Sequence, residues 1–449
     1  MKIPDLLMVT ATLVVALVPS LAVADDARKP NVIVILADDI GYSDISLLGD
    51  SAAPTPNIDS IAQNGARCTG GYVSCPYCSP TRAGIMTGRY QQRFGHEYNE
   101  GEGRLPFGLP LTETTFAQRM KELGYATAVV GKWHLGNLPQ LRPMRRGFDE
   151  FYGTLANTPF FHPNLVDSRV GPDPKKVEDD AFYTTDAYAA RASDFIGQHA
   201  DQPFFLYLPF NACHAPIEAP GKYFDRLTRI ADPQRRMYAA VLSAMDAAVG
   251  QVLAALREKN LEENTLIFFL SDNGSAGSIG SNNKPMRGQK MSTWEGGIRV
   301  PFFVQWKGTI PAGTVYDQPV ISLDLLPTAV AAAGGEVKPD WHLDGVNLLP
   351  FLTKKNEGAP HSVLFWRLGP QWAVRMGNWK LVRPRDPSAQ SAGPKPSSYG
   401  VTPTPLLFDL ANDVGEQHDL SAEYPDKVKE LQTAWDEWNS QLAEPGWLP

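Results

Sequence analysis

The segment Cys75-Pro76-Tyr77-Cys78-Ser79-Pro80-Thr81-Arg82 concentrates more reactive chemistry than any other stretch of the chain. Cys75 and Cys78 form a C-x-x-C, compatible with a redox pair or half of a zinc site, but no second C-x-x-C follows. Ser79-Pro80 reads as a helix start, with Ser as cap and Pro at the first helical position. Cys78 then lies just before a helix N-terminus, where free N–H groups favour a nucleophile or a bound anion, and Arg82 falls on the first turn beside it. Asp38-Asp39 and Asp272-Asn273-Gly274 add three carboxylates and an amide oxygen. That is a hard, all-oxygen donor set, suited to Ca²⁺ or Mg²⁺ and not to Zn²⁺, which prefers His or Cys. Gly131-Lys132-Trp133-His134 and His214 supply further polar groups.

Each group follows a run that reads as a buried strand. Asn31–Leu36 (NVIVIL), Ala126–Val130, Phe204–Leu208 and Leu266–Leu270 are short, apolar and rich in β-branched or aromatic residues. Helices are expected at Thr115–Leu123, Met237–Leu256 and Leu323–Ala333, and another strand at Val300–Gln305. Alternation of this kind predicts an α/β domain with a mostly parallel central sheet flanked by helices. In such sheets ligands bind beyond the carboxyl ends of the strands, where all four polar groups fall.

After residue 353 the pattern changes. Val363–Arg367, Trp372–Met376 and Trp379–Arg383 read as an antiparallel meander with a turn at Gly377-Asn378. Residues 384–405 read as a Pro/Ser/Gly-rich loop, and Tyr424–Gln441 as an amphipathic helix. The expected organisation is a signal peptide over 1–24, a catalytic α/β domain over 25–353 and a smaller C-terminal α+β unit over 354–449.

The signal peptide rests on Lys2, the apolar run Leu6–Val18 and the small-x-small site Ala22-Val23-Ala24. It predicts export to the periplasm or the medium, with no stable membrane association. The chain has 449 residues, 41 Lys and Arg against 49 Asp and Glu, and a net charge of -8. This acidic balance argues against a nucleic-acid or anionic-membrane binder. Four Cys are too few for a disulfide framework at this length.

Taken together, Cys78-x-Pro80-x-Arg82 with Ala83-Gly84 and Thr87-Gly88-Arg89, then Gly131-Lys132-Trp133-His134-Leu135-Gly136, resemble the two signatures of type I sulfatases of the alkaline-phosphatase superfamily. Asp38-Asp39, His214-Ala215-Pro216, Asp272-Asn273-Gly274, Lys290…Glu295-Gly296-Gly297 and Leu407-Phe408-Asp409-Leu410 match in the same order, so the resemblance spans residues 29 to 440. It implies that Cys78 is converted by a formylglycine-generating enzyme to Cα-formylglycine, whose hydrated form attacks sulfur. It implies that Asp38, Asp39, Asp272, Asn273 and residue 78 hold one Ca²⁺. Arg82 would fix residue 78, while Lys132, Lys290 and His214 would bind sulfate. His214 would protonate the leaving alcohol and His134 would take the remaining hydroxyl proton.

His96 and His162 are further candidates for contacting the substrate. The stretch Gly88–His96 looks like that of sulfatases acting on galactose or N-acetylgalactosamine units, which makes a sulfated carbohydrate the expected substrate. Two other classes share these motifs: a phosphonate or phosphate monoester hydrolase, and a sulfated-glycan-binding protein that keeps Cys78 as a thiol. Cys68 and Cys213 are expected as buried thiols or as a pair.

Overall fold

The computed structural model describes residues 28–49, 51–99, 107–386, 398 and 400–446. The proposed signal peptide and most of the 384–405 loop lie outside the described residues. Ten strands form the main sheet among the described residues. In spatial order they are Thr314–Tyr316, Ala66–Cys68, Phe302–Gln305, Thr265–Ser271, Asn31–Ala37, Phe204–Pro209, Ala126–Lys132, Glu150–Thr154, Asn164–Asp167 and Lys175–Lys176. The five central strands from Thr265–Ser271 to Glu150–Thr154 are mutually parallel. Phe302–Gln305 departs from the parallel pattern and runs antiparallel to both of its neighbours.

The apolar runs become central strands because both faces are covered. Ile33 and Ile35 pack on one side of the sheet, Val32, Val34 and Leu36 on the other, and every residue of Asn31–Ala37 is buried. Helices Pro56–Gln63, Thr184–Gln198 and Pro233–Glu258 cover the first face; Cys78–Thr87, Phe116–Glu122 and Leu325–Ala332 cover the second. The Pro233–Glu258 helix begins four residues earlier than its apolar stripe, because the Asp232 side chain accepts the Arg235 N–H at 2.7 Å and Pro233 takes the first helical position. It is long and apolar enough to cross a membrane by length and composition, yet 72% of its most apolar window is buried inside the protein, as expected of a core helix.

The C-terminal unit is an antiparallel sheet ordered Leu364–Leu368, Gln371–Met376, Trp379–Arg383, Leu406–Asp409, with helix Pro425–Asn439 packed against it. Gly377 (φ 58°) closes the tight turn expected at Gly377-Asn378. The fourth strand is an addition to the three read from sequence. Trp372, Trp435 and Trp438 form an aromatic core that also contains Tyr72 and Ile298 of the larger domain.

A candidate hydrolytic centre at the carboxyl edge of the sheet

Parallel neighbours deliver their carboxyl ends to one edge. Strand Asn31–Ala37 ends at Asp38-Asp39, Thr265–Ser271 at Asp272-Asn273, and Ala126–Lys132 at Trp133-His134. Phe204–Pro209 runs on to His214. Helix Cys78–Thr87 enters the same space from the second face. It starts at Cys78 itself, with Tyr77 as cap, so Ser79 does not cap it as the sequence suggested. The Ser79 hydroxyl instead donates to the His134 carbonyl at 2.6 Å and accepts from His96 Nε2 at 2.7 Å. Gly88 (φ 66°) stops the helix in the left-handed conformation.

Arg82 is completely buried and organises the acidic groups. Its Nε and Nη2 donate to Asp272 Oδ2 at 3.0 and 2.7 Å, Nη2 also to Asp38 Oδ2 at 3.1 Å, and Nη1 to the Lys132 carbonyl at 2.9 Å. Lys132 Nζ lies 2.5 Å from Asp38 Oδ2, and Lys290 Nζ 2.8 Å from Asp39 Oδ1. Burial alone would raise the Asp38 pKa, but the charges of Lys132, His214, Arg82 and Lys290 outweigh it and hold the carboxyl far below its ordinary value. Asp272 goes the other way, to about 6, because burial and the Asp38 charge dominate.

One ligand atom each from Asp38, Asp39, Cys78 and Asp272 lie within 4.8 Å of one another. Asn273 donates through Nδ2 to Asp39 Oδ1 at 2.7 Å, while its own Oδ1 is buried with no hydrogen-bond partner. An orphaned buried acceptor beside three carboxylates fits a hard cation. The one soft donor is the Cys78 sulfur, 3.8 Å from Asp38 Oδ1. Burial, ahead of the neighbouring charges, pushes its thiol up to about 12, so an unmodified Cys78 stays protonated at neutral pH.

His134 (φ 57°) is buried; burial first, then Lys132 and Arg82, push its pKa well below the usual imidazole value. Its Nδ1 has no hydrogen-bond partner among the described residues. His214 is partly exposed, its Nε2 3.8 Å from Asp39 Oδ2 and its Nδ1 donating to the Ala215 carbonyl at 2.6 Å. Burial is also the leading cause that lowers its pKa. Asp39, His134 and Met291 all adopt positive φ at this edge, a clustering of costly backbone conformations typical of functional sites.

His96 and His162 are placed differently from the substrate-contacting positions expected of them. His96 has no exposed surface; it packs at 5.5 Å from the Phe107 ring and props Ser79, and burial lowers its pKa to about 3. It braces the Cys78 helix from behind. His162 Nδ1 pairs with the Val177 carbonyl at 3.1 Å and Nε2 lies 3.3 Å from Asp180, which ties down its own loop. Cys68, Cys75, Cys78 and Cys213 are all buried free thiols. Asn99, whose Oδ1 accepts the Ser79 N–H at 2.9 Å, and Gln371, which bonds the Met291 carbonyl, carry no motif in the sequence.

An arginine-bridged carboxylate cluster with two lysines and two neutral imidazoles, at the carboxyl edge of a mostly parallel sheet, defines a hydrolase of anionic esters. The comparisons say which. The family model described as sulfatase matches residues 30–335, and that of the C-terminal region of aryl-sulfatase matches residues 359–446. The chain therefore belongs to the sulfatase family and is a sulfuric ester hydrolase. It is 32% identical to N-acetylgalactosamine-6-sulfatase of Canis lupus familiaris, over 92% of this chain and 86% of that protein. It is 34% identical to arylsulfatase A of Bos taurus, over 91% and 86% respectively. The crystal structure of Ps i-CgsB in complex with k-i-k-neocarrahexaose superposes with a TM-score of 0.83 at 33% identity, covering 94% of this chain and 95% of that one.

Proposed function

We propose that this sulfatase is exported and removes sulfate from a saccharide of the galactose or N-acetylgalactosamine type, using formylglycine at position 78 and one Ca²⁺. The observation that carries the reading is Cys78 itself. A fully buried thiol held protonated by burial is a poor nucleophile and a soft donor in an otherwise hard donor set. An oxygen-bearing side chain in its place would complete the set. The saccharide is supported by the names of the relatives and by the neocarrahexaose complex of the structural neighbour. Export is supported by the signal-peptide pattern over 1–24.

Formylglycine would supply a hydrated aldehyde hydroxyl as the nucleophile, and the cation, held by Asp38, Asp39, Asp272, Asn273 and residue 78, would lower that hydroxyl's pKa and offset sulfate charge. The chain's own residues do the rest. Arg82 holds Asp38 and Asp272 together by hydrogen bonds from Nη2 to both and from Nε to Asp272. Lys132 and Lys290 present ammonium groups where sulfate oxygens must lie, in a site largely closed to water. With its Nδ1 proton committed to the Ala215 carbonyl, His214 has Nε2 left for the substrate and would give the leaving alcohol a proton from Nε2 in its doubly protonated form, returning to the neutral imidazole. His134 stays neutral and offers Nδ1 as a proton acceptor.

Peptide mass spectrometry of the segment around Cys78, on protein from its native host, tests the nucleophile directly. The expected product carries an aldehyde in place of the thiol, and the same preparation releases sulfate from sulfated galactose or N-acetylgalactosamine saccharides. An intact Cys78 thiol in active protein would refute the reading. Faster turnover of phosphonate monoesters than of any sulfate ester would refute the proposed substrate.

A further inference from the structure

We infer that Asp44 is a positioning residue of the hydrolytic centre: its carboxylate clamps together the two loops that bring Asp39 and Lys290 to one place. The inference rests on the reading above, in which Asp39 holds the cation and Lys290 the sulfate. Lys290 Nζ and Asp39 Oδ1 meet at 2.8 Å, yet they come from loops 251 residues apart. That distance has to hold when a cation draws on one group and a sulfate on the other.

Asp44 closes the short helix Tyr42–Asp44, five residues after Asp39, and has no exposed surface. Four donors from three parts of the chain converge on it. Oδ2 accepts the Gly41 N–H at 3.1 Å, the Asn282 N–H at 2.8 Å and the Tyr238 hydroxyl at 2.8 Å, and Oδ1 accepts Arg235 Nη1 at 2.8 Å. A carboxylate suits this crowd, because it accepts through both oxygens and carries no N–H of its own. Burial raises the Asp44 pKa above its ordinary value, and the bonds from Asn282, Arg235 and Tyr238 counter it. The grip is returned from the other loop: the Asn282 carbonyl accepts the Ser43 N–H at 3.2 Å and the Ser43 hydroxyl at 2.9 Å. A side chain at Gly41 would run into that same carbonyl oxygen, so the two backbones touch.

From Asn282 the hold passes to Lys290 through the next residue. Asn283, which is buried, accepts the Ser275 N–H through Oδ1 at 3.0 Å and donates from Nδ2 to the Gly288 carbonyl at 3.1 Å. The Ser275 carbonyl in turn accepts the Lys290 N–H at 2.8 Å. Ser275 lies two residues after Asn273, and Gly288 two residues before Lys290. The path therefore runs from Asp39 through Asp44, Asn282 and Asn283 to Lys290, and the Lys290–Asp39 ion pair closes it into a ring. Arg235 and Tyr238 stand behind it on the first two turns of the long helix, so the ring is mounted on the core.

The test takes two readings on folded variants: kcat and KM for an aryl sulfate, and Ca²⁺ affinity by calorimetry on metal-free protein. Asp44→Asn turns an amide N–H₂ toward either Arg235 or the three donors at Oδ2, and so loosens the clamp. Its kcat should fall by about tenfold or more with a smaller change in KM, since a misplacement of about 1 Å costs on the order of a hundredfold. Its Ca²⁺ affinity should fall as well. Asn283→Ala keeps Asp44 and cuts only the link to Ser275 and Gly288, so its kcat should fall in the same way, and it decides the matter if Asp44→Asn does not fold. The control is Leu256→Ala, a buried cavity 21 residues beyond Arg235 on the same helix, about 30 Å away at the helical rise. It should lower the melting temperature and leave kcat and Ca²⁺ affinity at wild-type values. Wild-type kcat in either folded clamp variant would overturn the inference, and so would an equal fall in the control. Wild-type protein that binds no Ca²⁺ would refute the cation reading instead, and the kcat comparison would still decide the clamp.

Discussion

At the residue scale the site is balanced. Asp38, Asp39 and Asp272 carry three carboxylates, and Arg82, Lys132 and Lys290 meet them with three cations at 2.5 to 3.1 Å. A bound divalent ion then leaves the pocket positive, which is the condition for drawing an anionic ester out of water into a buried space. Asp39 is the carboxylate most open to adjustment, since Arg82 bridges the other two and Asn273 Nδ2 and Lys290 hold it from the side. Asp39→Asn should keep the fold and weaken Ca²⁺ binding by about tenfold or more, because affinity at oxygen sites follows the count of ligand charges. The measurement is the Ca²⁺-dependent rise in melting temperature. An unchanged Ca²⁺ response would remove Asp39 from the ligand set. The four acidic and amide positions were legible in the sequence because each follows an unmistakable buried strand. His96 was not, because its burial depends on the packing of Phe107 and of the Cys78 helix, neither of which local spacing encodes. The same holds for Gln371, whose value lies in joining two segments 80 and 14 residues away.

Elements place these residues through a few buried polar contacts, and one of them has a measurable pH signature. Helix Pro56–Gln63 docks on the long helix through Asp246, whose Oδ1 accepts the Asn57 and Ile58 N–H groups at 3.0 and 2.9 Å while Oδ2 accepts from Asn57 Nδ2 at 2.8 Å. Burial, only partly offset by those bonds, raises the Asp246 pKa from 3.8 to about 6. A carboxyl with a raised folded pKa favours the fold while it is protonated. Its contribution is therefore full below pH 3.8 and is lost as the pH rises through 6. The loss amounts to about 3 kcal/mol, taking 1.36 kcal/mol per pKa unit. Asp246→Asn keeps an acceptor for the helix N-terminus without the charge. Its stability relative to wild type should climb by about that amount between pH 4 and pH 7, read from denaturant unfolding at each pH. A difference that stays flat across this range would mean that Asp246 ionises as freely in the fold as in the unfolded chain. The long helix was readable from its stripe, but its partner in Asn57 was not, because a lone Asp on a helical face reads equally well as solvated.

On the scale of the whole molecule, the C-terminal unit reads in the sequence as a smaller α+β unit with its own strand pattern and its own helix. The structure ties it into the centre. Lys380, on strand Trp379–Arg383, reaches across to Glu295 Oε1 at 2.9 Å and Glu416 Oε1 at 2.8 Å, and all three side chains are fully buried. Glu295 also accepts from Tyr72 at 2.6 Å, and its N–H donates to Glu416 Oε2 at 2.7 Å. Glu295 opens the short helix Glu295–Ile298, and this helix lies directly against the acidic cradle: the Gly274 N–H donates to the Gly297 carbonyl at 3.0 Å. A side chain at Gly274 would meet the Gly296 carbonyl oxygen at 1.8 Å, so the two backbones touch. Lys380 therefore anchors the segment that backs Asp272 and Asn273 and that leads out of Lys290. Removing one member of a buried charge cluster leaves the others uncompensated, so Lys380→Met should cost about 3–5 kcal/mol of stability. Because the anchored segment leads out of Lys290 and backs Asp272 and Asn273, the loss should not be confined to stability. At a temperature where the variant remains folded, kcat should fall while aryl sulfate KM changes little, and Ca²⁺ affinity should fall with it. Adding Glu416→Gln, which removes the most strongly uncompensated carboxylate, should recover part of the stability. A folded Lys380→Met protein with wild-type kcat and Ca²⁺ affinity would show instead that the smaller unit is only packed against the site and takes no part in holding it.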